Sequence, residues 1–227
     1  MTLTIFNGSP RKHKSNSTLL TEHFLEGFHS VRERENVRVC YLAETRMLQE
    51  NLETFKQSEY VIVIFPLYTD CMPGLVKEFF ELLPVKDSLA TLKLGFVVQS
   101  GFPESNHSIY VERYLKKLAQ RLNCSYLGTV IKGGVEGIRS MPSSMNKKVF
   151  ERFYQLGVHF AENGEFSGEI MEKMKNPVKF NSMGLIIFRF LKLAGLVDYY
   201  WKTNLKKNGA YHKRNNKPYS NKINRQL

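Results

Sequence analysis

A short apolar run at residues 3–6 leads into a loop of glycine, proline and cations, and a helical apolar pattern begins directly after Ser-Asn-Ser-Thr at 15–18. Strand, polar loop and helix N-terminus in this order favour phosphate binding, because the first-turn N–H groups lack intrahelical partners and the helix dipole attracts anions. Hydroxyl groups can donate to phosphate oxygens, and Arg11 can add charge. The alternative is an ordinary loop whose Ser-Asn-Ser-Thr only caps a helix.

Strand and helix patterns alternate along the first two thirds of the chain. Strands are expected at 3–6, 37–42, 60–65, 94–99 and 125–131, and helices after residue 18 and at 75–83, 109–122 and 149–161. The continuous apolar run at 60–65 is typical of a central parallel strand that is buried on both faces. This alternation predicts a parallel sheet with helices on both faces. Such sheets bind ligands at the carboxyl ends of their strands.

The loop at residues 7–18 contains neither G-x-x-x-x-G-K-[ST] nor G-x-G-x-x-G, so a Walker NTPase and a dinucleotide fingerprint are both disfavoured. Instead, Asn-Gly-Ser-Pro-Arg at 7–11, followed by Ser-Asn-Ser at 15–17, resembles the FMN-phosphate loop of flavodoxin-like NAD(P)H-dependent FMN reductases. Segments 65–74, 99–104 and 132–134 resemble, in chain order, the loops that follow that family's third, fourth and fifth strands. The resemblance covers roughly residues 1–165.

The resemblance implies an α/β fold: a flavodoxin-like three-layer sandwich with a five-stranded parallel sheet of order 2-1-3-4-5. It also implies an FMN-dependent oxidoreductase that takes hydride from NADPH or NADH and works as a homodimer. The electron acceptor is expected to be a small molecule such as a quinone, a nitro or azo compound, a flavin or a ferric chelate. Two alternatives stay open: a non-catalytic FMN electron carrier, and a membrane or nucleic-acid adaptor on a degenerate domain.

The expected FMN site draws on four loops and needs no general base, because the flavin itself carries the chemistry. The expected phosphate contacts are Ser9, Arg11, Ser15, Asn16, Ser17 and Thr18. The expected ring contacts are Pro66, Leu67, Tyr68, Thr69, Ser100, Gly101, Phe102, Gly133 and Gly134. The glycine pair would let the backbone approach the edge of the flavin, and its alternative interpretation is a flexible turn. Asp70 is interpreted either as a ligand contact or as a cap of the following helix.

The three cysteines give no disulfide framework and no C-x-x-C motif, and neither they nor the histidines show metal-ligand spacing. Cys40 and Arg46 have the C-x5-R spacing of a phosphatase loop, but Cys40 lies inside a strand pattern, so chance spacing is favoured. Cys71 is interpreted as a small buried residue in preference to a redox-active one. Residues 1–6 lack the features of a signal peptide, and a cytoplasmic location is expected.

Positive charge is concentrated near the C-terminus. Residues 1–170 hold 20 Lys and Arg against 19 Asp and Glu, whereas residues 171–227 hold 13 against two. This predicts a flavodoxin-like domain at 1–170 and a basic extension at 171–227. The apolar helix expected at 183–197 contains Arg189 and Lys192 and is too short to span a membrane. Burial against the domain or a second subunit is expected, peripheral membrane contact is the alternative, and specific nucleic-acid binding is not expected.

Overall fold

The computed structural model describes residues 2–33, 35–83, 89–179, 181–193, 195 and 198–217. The chain divides into two compact units, residues 1–179 and residues 180–227. Each unit is described by itself.

The first unit alternates strands and helices, as the sequence pattern predicts. Its strands are β1 (Leu3–Asn7), β2 (Arg38–Tyr41), β3 (Tyr60–Pro66), β4 (Lys93–Gln99) and β5 (Ser125–Lys132). Its helices are α1 (Asn16–Val31), α2 (Leu48–Gln57), α3 (Gly74–Glu81), α4 (Ile109–Arg121), α5 (Ser143–Asn163) and α6 (Gly168–Lys175). The strands form one sheet of order β2-β1-β3-β4-β5, and every neighbouring pair is parallel. The predicted fold class and strand order are confirmed.

The sheet separates two hydrophobic clusters because successive side chains of a strand point to opposite faces. In β1, Ile5 enters one cluster and Phe6 the other. The cluster of Phe6 includes Phe55 of α2 and Phe79 of α3, and the cluster of Ile5 takes side chains from α1 and α5. All seven residues of β3 are buried, which agrees with its expected central position. The core therefore fixes the strands from both sides.

Two glycines let α1 and α5 pack closely. A Cβ atom on Gly27 would lie 1.9 Å from the carbonyl oxygen of Tyr154, and one on Gly157 would lie 1.9 Å from the carbonyl oxygen of Phe24. Each glycine therefore accommodates the backbone of the opposite helix. This contact holds α1 in place, and α1 begins at the predicted phosphate loop.

Two helices of the first unit were not predicted from the sequence, namely α2 and α6. The predicted boundary at residue 170 falls inside α6, whose Met174 is buried in the core cluster of Ile5. Beyond α6, the backbone N–H of Ser105 donates to the carbonyl oxygen of Pro177. These contacts place residues 171–179 in the first unit. The composition change at residue 170 therefore precedes the end of that unit.

The second unit contains α7 (Ser182–Leu193) and α8 (Tyr199–Lys207). The predicted helix at 183–197 thus ends at Leu193, and Ala194, Leu196 and Val197 lie outside the described residues. None of the described side chains of α7 is buried. The expected burial of this helix against the domain or a second subunit stays a prediction. Across the part of the chain that is described, no helix combines the length and hydropathy needed to cross a bilayer.

Candidate functional site

Four loops leave the sheet at the same end, here called the carboxyl end, where β1, β3, β4 and β5 finish. The backbone N–H of Gly8 donates to the carbonyl oxygen of Ile64 at 2.8 Å, which joins the first loop to β3. Leu67 N donates to Gln99 O at 2.8 Å, and Ser100 N donates to Lys132 O at 3.0 Å. The expected convergence of the loops at one end of the sheet is therefore present.

Polar side chains within the first loop hold its shape. Ser15 is the N-cap of α1, and its Oγ accepts a hydrogen bond from the backbone N–H of Thr18 at 3.1 Å. Thr18 Oγ1 in turn accepts from Asn7 Nδ2 at 2.9 Å and donates to the carbonyl oxygen of Lys12 at 2.9 Å. The backbone N–H of Ser9 donates to Asn7 Oδ1 at 2.9 Å. The capping interpretation is thus right for Ser15, and the side chain of Asn7 was overlooked in the sequence.

The side chain of Ser17 differs from those of its neighbours. Ser17 is completely buried in the first turn of α1, and its Oγ has no hydrogen-bond partner among the described residues. Buried hydroxyl groups in proteins are usually hydrogen-bonded, and this one is free to donate to a ligand or to a water. It lies where the helix N-terminus favours an anion. Of the predicted phosphate contacts, Ser17 therefore has the strongest structural support.

Side chains from distant parts of the chain connect the first loop to the loop after β5. Asn16 Nδ2 donates to the carbonyl oxygen of Val135 at 2.8 Å. Arg139 Nε donates to the carbonyl oxygen of Ser15 at 3.0 Å. An Arg11 guanidinium nitrogen lies 3.6 Å from a carboxylate oxygen of Glu136, and both side chains are largely exposed. Asn16 thus makes protein contacts, while Arg11 remains accessible from solvent.

The loop after β3 begins with a tight hairpin. Tyr68 N donates to Cys71 O at 2.8 Å, and Cys71 N donates back to Tyr68 O at 3.0 Å. Between them, Thr69 and Asp70 have φ values of 49° and 58°, in the left-handed region that such two-residue turns require. A β-branched residue is rarely found there, so Thr69 is held under strain. Leu67 is buried, whereas 43% of Tyr68 is exposed.

One of the two interpretations of Asp70 was wrong, and so was the interpretation of Cys71. The N-cap of α3 is Pro73, with no side-chain capping bond, so Asp70 does not cap that helix. Asp70 Oδ1 instead lies 3.3 Å from His107 Nδ1. Cys71 is exposed, so it is not a buried residue. The contact with His107 could not be found from local sequence, because it joins two different loops.

The loops after β4 and β5 pack directly on each other. Gly134 N donates to the carbonyl oxygen of Phe102 at 2.8 Å, and a Cβ atom on Gly133 would lie 2.4 Å from that oxygen. A side chain at position 133 would therefore prevent the two loops from packing together. This packing gives Gly133 a structural role that a flexible turn alone would not have. Ser100 Oγ donates to the same Phe102 oxygen at 3.2 Å, and Gly101 packs against Glu136. The ring of Phe102 is exposed and stacks on His107 with centroids 4.5 Å apart.

Burial shifts the pKa values of two titratable groups on the strands. Burial raises the pKa of the Cys40 thiol in β2, which supports chance as the origin of its spacing to Arg46. Burial, together with the nearby charge of Arg152, lowers the pKa of Lys132 at the end of β5. The described residues contain no group of three or more His, Cys, Asp or Glu that could hold a metal ion. The loops at the carboxyl end of the sheet therefore present a helix N-terminus, exposed aromatic rings and backbone N–H groups.

The parallel sheet of order β2-β1-β3-β4-β5, with helices on both faces, defines an α/β protein of the doubly wound class. The family model described as flavodoxin-like fold matches residues 1–156, and the chain belongs to that family. This confirms the flavodoxin-like class expected from the motifs. A sequence comparison with curated proteins gives no match.

Solved structures with the same fold include three oxidoreductases. An FMN-dependent NADH-azoreductase from Bacillus anthracis in complex with FMN has 16% identity and a TM-score of 0.56, over 71% of this chain and 100% of that one. An NADH:FMN oxidoreductase (EMOB) in its apo form has 16% identity and a TM-score of 0.54, over 78% and 96%. An NADPH-quinone reductase from P. pentosaceus has 17% identity and a TM-score of 0.52, over 68% and 96%. At these identities the likeness establishes the fold.

Proposed function

We propose that this protein is an FMN-dependent oxidoreductase that takes hydride from NADH or NADPH and passes electrons to a small acceptor. The observation that carries this proposal is the buried, unpartnered hydroxyl of Ser17 at the N-terminus of α1. The exposed aromatic rings of Tyr68 and Phe102, on two neighbouring loops, would contact the flat ring of a phosphorylated cofactor. The FMN-dependent azoreductase and the NADH:FMN oxidoreductase of similar fold support this choice.

The polar groups of the first loop fit a phosphate. Ser17 Oγ and the first-turn N–H groups of α1 would donate to its oxygens, and Arg11 would add positive charge from the solvent side. Ser9 remains a proposed contact. Ser15, Asn16 and Thr18 shape the loop through their own hydrogen bonds, and any contribution to the ligand would come mainly from their backbone.

The remaining loops fit the flavin ring. Leu67, Tyr68 and Phe102 would contact its faces, and backbone N–H groups of the loop that follows Pro66 would face its polar edge. Thr69, Ser100, Gly101, Gly133 and Gly134 complete the proposed ring contacts. When bound, FMN supplies the capacity to accept hydride and release electrons. The chain itself binds the cofactor, orients it and partly excludes water.

The identity of the acceptor is open among quinones, nitro and azo compounds, flavins and ferric chelates. The exposed positions of Tyr68 and Phe102 are consistent with a flat acceptor reaching the site from solvent. A homodimer and a cytoplasmic location are part of the same proposal. Sedimentation equilibrium of the purified protein measures the oligomeric state, and cell fractionation measures the location.

The absorbance spectrum of the purified full-length protein tests the proposal most directly. We expect the two visible bands of oxidised flavin, either as purified or after reconstitution with FMN, and loss of these bands when NADH or NADPH is added without oxygen. A colourless protein that cannot be reconstituted would contradict the proposal. A flavin that is bound yet not reduced by either nucleotide would favour the electron-carrier alternative.

A further inference from the structure

The helix α7 is apolar around most of its circumference, and its two charged residues lie on one side. Ser182, Arg189 and Lys192 follow each other at spacings of seven and three residues, which places them on one side of a helix. Leu185 lies on the same side, four residues before Arg189, and the other large apolar side chains occupy the rest of the circumference: Met183, Ile186, Ile187, Phe188, Phe190 and Leu191. All seven of these apolar side chains are exposed. Phe190 is 68% exposed and Leu193, at the end of the helix, is 85% exposed. An apolar surface of this kind indicates an interaction site.

The charge of the second unit restricts what can cover this surface. Residues 180–227 contain ten Lys and Arg and a single acidic residue, Asp198, which gives a net charge of +9. A second copy of the unit would bring another nine positive charges, and their repulsion opposes self-association through α7. A nucleic acid would match the charge but would leave the apolar side chains in water. The surface of an anionic membrane accommodates both features.

The dimensions of α7 fit a helix that lies on a membrane. Its 12 residues span about 18 Å at ~1.5 Å per residue, against a hydrocarbon core of about 30 Å. The long stems of Arg189 and Lys192 allow their charges to reach the headgroups while the apolar side enters the acyl region. Tyr199, exposed at the start of α8, and the exposed Lys206 and Lys207 at its end extend the same combination of aromatic and basic groups.

We propose that the second unit binds the surface of membranes that contain anionic lipids, with α7 lying in the interface. The binding is peripheral and reversible, because it combines shallow insertion of one short helix with electrostatic attraction to the headgroups. This inference is independent of the proposed flavin chemistry. Its experiment needs no cofactor and no enzymatic readout.

Sedimentation of the full-length protein with vesicles tests the proposal. We expect the protein to pellet with vesicles of mixed phosphatidylcholine and phosphatidylserine, to remain in solution with phosphatidylcholine alone, and to be released by high salt. The double variant I187S/F190S should lower the vesicle affinity at least tenfold without changing the melting temperature, since both side chains are exposed. Tyr110→Ser, which removes an exposed aromatic side chain from α4, is the matched control and should bind like the wild type.

A charge-reversal pair separates the electrostatic contribution. The variant K192E/K207E should weaken binding to the anionic vesicles severalfold or more, whereas K147E/K148E on α5 changes the net charge equally and should have a smaller effect. Absence of vesicle binding by the wild type at low salt would overturn the proposal. So would equal binding by I187S/F190S. If the wild type does not bind vesicles and I187S/F190S loses a dimer, α7 instead contacts a second copy of the chain. If the wild type binds only an RNA probe, in a salt-sensitive way, the second unit instead binds nucleic acid.

Discussion

Nδ1 of His107 lies 3.3 Å from Oδ1 of Asp70, and this contact joins the loop after β3 to the loop after β4. The same imidazole stacks on the exposed ring of Phe102, with an angle of 25° between the two planes. One side chain thus connects the hairpin at residues 68–71 with the aromatic residue on the neighbouring loop. Both loops are proposed to contact the flavin ring, so their relative position bears on function more than on stability.

Asp70→Ala removes this contact and tests that relationship. Because both side chains are substantially exposed, we expect the free energy of unfolding to change by less than about 1 kcal/mol. We expect anaerobic flavin reduction by NADH or NADPH to slow severalfold, because the hairpin is no longer tied to the Phe102 loop. Lys173→Ala, which breaks an exposed pair with Glu169 on α6, is the control and should leave the rate unchanged. Identical stopped-flow rates for Asp70→Ala and the wild type would refute this role.

Ser17→Ala tests the proposed phosphate site. A hydrogen bond to a charged group contributes roughly 1.5–3 kcal/mol, so FMN should bind at least about tenfold more weakly. The melting temperature should not fall, since Ser17 Oγ has no partner within the described structure. Adding Arg11→Ala should weaken FMN further. Fluorescence titration measures the affinity, and Ser30→Ala at the other end of α1 is a matched control. If the Arg11/Ser17 double variant binds FMN as tightly as the wild type, these residues do not form the phosphate site.

Tyr68→Ala tests the ring-binding loop. Since 43% of Tyr68 is exposed, its loss should lower the melting temperature little. Its loss should shift the absorbance bands of the bound flavin or slow flavin reduction. Tyr114→Ala on α4 removes a tyrosine of similar exposure and should affect neither the bands nor the rate. A lower melting temperature with an unaltered spectrum and rate would identify Tyr68 as a structural residue.

Gly157→Ala tests the close packing of α1 against α5, because the added methyl group should push the two helices apart. The new Cβ atom would lie 1.9 Å from a backbone oxygen that cannot rotate away, so we expect a loss of about 1–3 kcal/mol or more in the free energy of unfolding. This loss opposes the gain of up to about 1 kcal/mol that alanine has over glycine inside a helix. Gly168→Ala in α6, where nothing lies within 4 Å of the new Cβ atom, should show that gain without the clash. Urea denaturation compares the two variants, and equal stabilities would contradict the close packing.

The stability of the fold should fall at alkaline pH. Burial raises the pKa of Cys124 from its ordinary value of 9.0 to about 11. Between these values the folded state binds more protons than the unfolded state, so stability falls as the pH rises from about 9 to about 11. With ~1.4 kcal/mol per pKa unit, the contribution is roughly 2–3 kcal/mol. Cys124→Ala should reduce this slope in urea denaturation, whereas Cys71→Ala, which removes an exposed thiol, should not. Parallel pH profiles for Cys124→Ala and the wild type would contradict the assignment.

The sequence by itself determined the order and type of most elements, because local patterns encode them. The apolar run at 60–65 is typical of a strand that is buried on both faces, and β3 is such a strand. Ser-Asn-Ser-Thr predicted the start of α1 through its capping hydroxyl. The helices α2 and α6 were missed, although α6 has a local start signal in Ser167, whose Oγ accepts a hydrogen bond from the backbone N–H of Ile170. The predicted helix at 183–197 corresponds to α7, which ends at Leu193, and residues 194, 196 and 197 lie outside the described residues.

The roles of individual side chains were decided only by the tertiary structure. Ser15 and Ser17 are the same residue type two positions apart, yet one hydroxyl caps α1 and the other is buried without a partner. Asn16 reaches a carbonyl group 119 residues away, and Asp70 meets His107 on a separate loop. A parallel sheet brings the ends of distant strands together, so these contacts arise from the register of the strands. No local pattern in the sequence specifies which side chains meet there, because each contact depends on two loops whose positions are fixed by the sheet.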